Sequence, residues 1–217
     1  MCGRYTITKK KSNIEEVLES AFDDDYIENY NAAPTNKLPV ITNKNLDEIK
    51  LLQWGLIPYW SKDAKIAGKL INARLETVFE KPSFKQIIKN KRCAIIADGY
   101  YEWTRQKSSK QPYYIYFEDH RSFMFGGIWN SWQSNEGISI NTFSIITKEA
   151  KGKVSKIHDR MPVILNQELK NSWLSELNKN QINEIANNNL NDDLTYHAVS
   201  KSVNSTRNNY KELIYSI

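Results

Sequence analysis

The sequence predicts a single α+β domain, 1–217, built on a mostly antiparallel, barrel-like sheet with flanking helices. Three observations predict it. Short segments rich in Val, Ile, Thr and aromatic residues, bounded by polar turns, recur along most of the chain. Segments with helical apolar spacing are few and fall between and after them. No repeat, low-complexity linker or break in composition marks a boundary, and 217 residues suit one large domain.

Residues 4–8 alternate and carry β-formers, which predicts a strand almost at the N-terminus. Ser12 and Glu15 have the spacing of a capping box, and Ile14, Val17, Leu18 and Phe22 recur at helical spacing, so a helix is expected to about residue 22. Residues 38–42 and 49–54 read as strands joined by the polar turn 43–45, residues 82–88 as a short helix, and 92–97 as a buried strand. Residues 112–117 and 123–129 read as a hairpin around 118–121, and 140–147 as a further strand. Helices are expected at 167–177, capped by Asn166, and at 181–186, followed by a strand at 195–199. Residues 107–110 read as an exposed loop.

Composition narrows the function classes. Two cysteines, Cys2 and Cys93, are too few for a secreted disulfide framework. No CxxC pair or Cys/His cluster has zinc spacing, so no metal or other cofactor is expected. There is no apolar run near membrane-spanning length and no signal-peptide stretch, so the reading is a cytoplasmic protein without membrane contact, and a monomer. The net charge of +5 suits a polyanionic partner but is too modest to identify one. Cys93 lies in an apolar run and reads as a structural thiol.

Cys2 is the most informative position. A small residue after Met1 normally permits removal of that Met, which leaves a thiol and an α-amine on adjacent carbons. Amino termini titrate near neutrality, so a useful fraction is uncharged and nucleophilic. Such a 1,2-aminothiol condenses with an aldehyde to an imine, and the thiol then closes a thiazolidine ring. The plain alternative is a small residue entering the first strand. Four further segments stand out: Asn31-Ala32-Ala33-Pro34, residues 70–77 with Asn72 and Arg74, residues 97–103 with Glu102 and Trp103, and residues 157–162 with His158 and Arg160. Each alone has an ordinary reading as a turn, a surface carboxylate or a packed histidine. Trp54 and Trp60 read equally as core or as stacking surfaces.

Taken together, in this order, Cys2-Gly3-Arg4-Tyr5 and the four segments resemble the SOS-response-associated peptidase (SRAP) family, which includes abasic-site sensors. The resemblance runs from residue 2 to about residue 210 and includes the Trp54-Gly55-Leu56-Ile57-Pro58 stretch. His197-Ala198-Val199-Ser200 departs from the family's His-Pro-Val-Ser at Ala198. The resemblance implies an SRAP-like fold and capture of abasic sites in single-stranded DNA by Cys2, which becomes the covalent link. It implies that Asn72 positions the substrate, Glu102 acts as acid–base and His158 sits at the sugar end. Arg4, Arg74 and Arg160 are expected at flanking phosphates, Asn31 among the DNA contacts, and Pro34 and Trp103 near a kink in the strand. Binding is expected to be independent of sequence, and a nucleoid association is expected on DNA damage. The rival readings are a thiol (auto)peptidase using Cys2, an abasic-site lyase, and a nucleic-acid module with no covalent chemistry.

Overall fold

The computed structural model describes residues 2–104, 110–188 and 190–217, so Met1 and residues 107–109 of the expected exposed loop lie outside the described residues. In chain order the elements are β1 (Arg4–Ile7), α1 (Lys11–Leu18), β2 (Ala21–Phe22), β3 (Asn29–Ala32), β4 (Lys37–Thr42) and β5 (Asn45–Trp54). They continue with β6 (Asn72–Arg74), α2 (Ile87–Asn90), β7 (Arg92–Ala97), β8 (Gly99–Trp103), β9 (Pro112–Phe117) and β10 (Phe123–Gln133). The rest are β11 (Ser139–Glu149), β12 (Arg160–Pro162), β13 (Ile164–Leu165), α3 (Gln167–Leu174), α4 (Lys179–Ala186) and β14 (Leu194–Ala198).

The α+β class and the barrel-like sheet are as expected. Strands β11, β10, β7, β4 and β5 pair in that order, and a parallel pairing of β5 with β11 closes the ring. The other four joints of the ring are antiparallel. A second sheet, ordered β14-β9-β8-β1-β3, packs one face on the barrel strands. Tyr5 of β1 marks that contact, with its ring edge-on to Trp54 of β5 at 5.1 Å and to Phe125 of β10 at 5.4 Å. Strand alternation sends Tyr101 to the opposite face, where Val199, Val203 and Leu213 of the C-terminal segment cover it.

The expected hairpin of 112–117 and 123–129 does not form. β9 pairs with β8 and β14 in one sheet, while β10 pairs with β7, β11 and β13 in the other. The intervening turn, with His120 at φ 54, carries the chain between sheets. Alternation within a strand states which face is buried but not which neighbour it pairs with.

α1 also differs from its expectation. It starts at Lys11 without a side-chain cap, and it ends at Leu18, where Glu19 takes the left-handed conformation at φ 51. Ser12 lies inside the first turn and donates to Asn13 Oδ1, while Glu15 accepts the Phe22 N–H at 2.9 Å. Phe22 sits in β2, beside β5, rather than on the helix. Most of the expected 82–88 helix is a series of turns, and α2 proper is Ile87–Asn90. Asn166 caps α3 as expected, accepting from Leu169 N at 2.9 Å.

Arg92 fastens these parts and was not legible as a core residue. Its buried guanidinium donates to the carbonyls of Ile88, Lys89, Trp173 and Ser175, which ties β7 to both α2 and the end of α3. Four carbonyl acceptors satisfy a charge that burial alone would make expensive. Cys93, next to it, is fully buried, as its apolar run implied.

Candidate active site

The site forms where β1 and β8 of the second sheet meet β6 at the edge of β11. β1 and β8 run antiparallel, with Arg4 opposite Tyr101 and Tyr5 opposite Tyr100. β11 pairs with β6 through Ile145 and Asn72, and with β12 through Glu149 and Arg160. Thr147 faces both Arg74 and Pro162, so one strand holds the 72–74 and 160–162 segments on its two sides.

Cys2 is fully buried, and its Sγ lies 3.9 Å from the Arg4 carbonyl oxygen. Burial pushes the thiol well above its ordinary range, and the negative charge of Glu102 pushes it further. Asn72 Nδ2 donates to the Cys2 carbonyl oxygen at 2.8 Å, which fastens the start of the chain to β6. The other end of that amide, Oδ1, is buried with no hydrogen-bond partner among the described residues. A buried acceptor without a donor is costly in a finished core and useful in a site that awaits one.

Glu102 occupies β8 with 2% of its surface exposed. Burial is the main reason its carboxyl is pushed up to about 7, and the charge of Asp159 adds to the rise. A carboxyl near neutrality can both give and take a proton at physiological pH. His158 follows a short 3-10 turn, Gly152–Lys156, and its side chain is mostly buried. Its Nδ1 accepts the Arg160 N–H at 2.9 Å, which puts the proton of the neutral ring on Nε2. Asp159 Oδ1 lies 3.0 Å from the same Nδ1, where it pairs with the ring once that nitrogen is protonated.

The sequence-predicted residues thus fall into two groups. Cys2, Asn72 and Glu102 come together, and the His158 turn approaches them through Asp159. The expected DNA contacts are more dispersed. Arg74 is exposed, and Pro34 is half-buried. Arg160 makes a two-pronged pair with Glu76 at 2.7 and 2.9 Å and also donates to the Thr147 carbonyl. Arg4 donates to Asn31 Oδ1 at 2.8 Å and to the carbonyls of Val203 and Asn204 at 2.7 and 3.2 Å. Asn31 is buried and donates to carbonyls of residues 203, 205 and 208. Trp103 is half-buried, with its Nε1 donating to Asn204 Oδ1 at 2.8 Å. Trp54 is core.

Sequence reasoning gave no role to Glu76, Asp159 or Asn204, although all three lie in or beside segments it singled out. No local signal identifies Glu76 or Asn204, because their partners Arg160, Trp103 and Arg4 are distant in the chain.

The chain matches the model of the SOS response associated peptidase (SRAP) family over residues 1–206. Abasic site processing protein YoqW of Bacillus subtilis (strain 168) is 39% identical over 226 residues, spanning 100% of both chains. Abasic site processing protein HMCES of Xenopus tropicalis is 33% identical across 100% of this chain and 78% of its own. A crystal structure of a protein from Bacteroides thetaiotaomicron superimposes with a TM-score of 0.91 at 28% identity, covering 100% of each chain. With that family match behind the Cys2, Asn72 and Glu102 geometry, the chain belongs to the SRAP family.

Proposed function

We propose that this protein binds abasic sites in single-stranded DNA and holds them as a covalent thiazolidine through Cys2 once Met1 is removed, which shields the lesion. The observation that carries the reading is the grouping of Cys2 with the Asn72 amide and a buried carboxyl raised to about 7. The names of the relatives supply the lesion.

In this mechanism the ring-opened sugar presents an aldehyde to the Cys2 amine. The amine adds to the carbonyl carbon, and the carbinolamine loses water to give an imine. Protonated Glu102 donates to the departing hydroxyl, and the resulting carboxylate takes the thiol proton as Sγ adds to the imine carbon. The dehydrated intermediate is the protonated imine, so the nitrogen keeps the hydrogen it carried in the carbinolamine, and the five-membered ring closes with no oxidant or reductant. Asn72 orients the Cys2 backbone with its N–H and offers Oδ1 to a hydroxyl of the sugar. His158, with the proton of its neutral ring on Nε2, serves the sugar oxygen. Arg74 meets phosphate directly, while phosphates compete with the internal partners of Arg4 and Arg160. Asn31 supports Arg4, and Pro34 and Trp103 border the bent strand.

The family description also names a peptidase. Burial keeps the Cys2 thiol protonated at neutral pH, which favours the amine-first route over thiolate attack on an amide. A lyase would share the imine and proceed by β-elimination.

The test is a denaturing gel of protein, verified by mass to lack Met1, with a single-stranded oligonucleotide carrying one abasic site. A heat-stable band that is absent for Cys2→Ala and for intact DNA is expected. Cleaved strand without adduct would establish the lyase, and no band from protein with free Cys2 would overturn covalent capture. Cys2→Ala is expected to leave non-covalent affinity within about twofold, since phosphate contacts supply it.

A further inference from the structure

The ring of β4, β5, β7, β10 and β11 has two ends, and they are finished differently. Register and strand alternation set Val40, Leu52, Ile95, Phe125 and Phe143 on its inner face. A Cβ added at Gly126, the next residue along β10, would instead meet Val163 and Trp173 outside the ring. At the end where β4 and β10 begin, Tyr5 packs its ring on Trp54 and Phe125, and β1 leads back from it to Cys2. At the opposite end the inner face turns polar. Thr42, Lys50, Trp129 and Asn141 follow the apolar residues there, and with Lys44 on the turn between β4 and β5 they border a cavity of about 350 Å³.

This cavity has a fixed aromatic wall and free polar groups. Trp129 Nε1 donates to Asn43 Oδ1 at 3.1 Å, and Lys91 Nζ lies 5.5 Å from the ring centroid while donating to Asn130 Oδ1 at 3.0 Å. The indole is held, yet only half-buried. Lys50 is neutralised by Glu48 at 3.1 Å and Asp23 at 3.7 Å. Lys44 has no ion pair or hydrogen bond among the described residues. Asn141 Oδ1 accepts from Ser131 Oγ, but neither the Asn141 amide nitrogen nor the Thr42 hydroxyl donates to a described group. Barrel mouths of this size that combine an apolar wall with a few polar groups suit small molecules. A flat ring stacks on a fixed indole, and an unpaired ammonium meets a phosphate. A plain aromatic acid would leave the Thr42 and Asn141 donors desolvated and unpaired, whereas the edge of a nucleobase offers acceptors. Glu48 and Asp23 beside Lys50 repel a strand of several phosphates, which points to a monomer.

We propose that this open mouth of the barrel is a second ligand site that takes a nucleoside monophosphate. The base lies against Trp129, its edge meets Thr42 Oγ1 and Asn141 Nδ2, and the phosphate meets Lys44 Nζ. The site goes beyond lesion capture and does not rest on it, since it uses none of Cys2, Asn72, Glu102 and His158.

The probe is deoxyadenosine monophosphate, titrated at millimolar concentration into the intact protein and read by isothermal calorimetry. Wild type is expected to bind it about 5-fold or more tightly than deoxyadenosine, inorganic phosphate or benzoate, because each of these lacks one of the contacts. Lys44→Ala should lose the preference for nucleotide over nucleoside and bind the two alike. Trp129→Ala should bind the nucleotide about 5-fold or more weakly, and Trp129→Phe should keep most of the affinity. Trp129 is half-buried, so circular dichroism accompanies its variants, while Lys44 is an exposed turn residue whose removal leaves the fold intact. Arg74→Ala, at the Cys2 end, should bind the nucleotide as wild type does. No heat with the nucleotide, equal binding of benzoate or inorganic phosphate, or an unchanged preference in Lys44→Ala overturns the site. Loss of binding in Arg74→Ala also overturns it, because the nucleotide would then lie in the lesion site. Covalent capture on the denaturing gel is read separately: capture without nucleotide binding sinks this inference alone, and nucleotide binding without capture sinks only the proposed function.

Discussion

Replacing Glu102 by Gln separates the stability of the site from its chemistry. The carboxyl is 2% exposed and titrates at about 7 in the folded chain, against 4.5 for the free group. Folding therefore tightens the hold on this proton. The stabilisation this brings is complete below pH 4.5 and is lost as pH rises through about 7. Relative to a neutral group in the same place, the ionised carboxylate costs the fold about 3 kcal/mol at pH 8. Gln is close in shape and has no charge to bury, so Glu102→Gln should be more stable than wild type by about that amount at pH 8. The difference should shrink to near zero at pH 4.5. For a chain of this size it corresponds to roughly 6–12 °C in Tm. Urea unfolding followed by tryptophan fluorescence at pH 4.5, 6, 7 and 8 measures it, and the difference between the two proteins removes the contributions of other groups. The same variant should lose covalent capture by about 100-fold or more, as expected for removing a proton donor and acceptor. A stability difference that does not change with pH, or a variant that is less stable at pH 8, would refute the account of Glu102 as a buried, reluctantly ionised acid.

Two further perturbations probe the scaffold. Asn72→Ala removes the hydrogen bond to the Cys2 carbonyl and the buried Oδ1 acceptor, so single-turnover capture should slow by about 10-fold or more. Its affinity for DNA, measured by fluorescence anisotropy with a single-stranded oligonucleotide, should stay within about twofold. Gly55→Ala should destabilise by about 1–3 kcal/mol or more, because Gly55 has φ 118 and an added Cβ would lie 2.7 Å from the Ala67 carbonyl oxygen. Thermal melts read that loss.

The amino-acid sequence by itself settled the class of fold and nearly all the long strands, because period-2 burial and polar turns are local properties. Its motifs, and the family resemblance they carry, also pointed to the segments that meet at the candidate site. Cys2, Asn72, Glu102 and His158 all lie in segments chosen from residue types and order alone. What it left open is pairing and environment, both of which are decided across long stretches of chain. β9 and β10 looked like one hairpin and joined different sheets, since the turn between them fixes proximity but not partnership. The capping signal at Ser12 and Glu15 lost to a contact with Phe22, because β5 draws that residue into a strand. Only the tertiary structure could show that β8 carries Glu102 into the interior, where missing water raises its carboxyl to about 7. Only it could show that Arg4 and Arg160 already hold partners contributed by residues 203 and 204 and by Glu76. Charge and residue type are written in the chain, but desolvation and partnership exist only once distant segments are packed together.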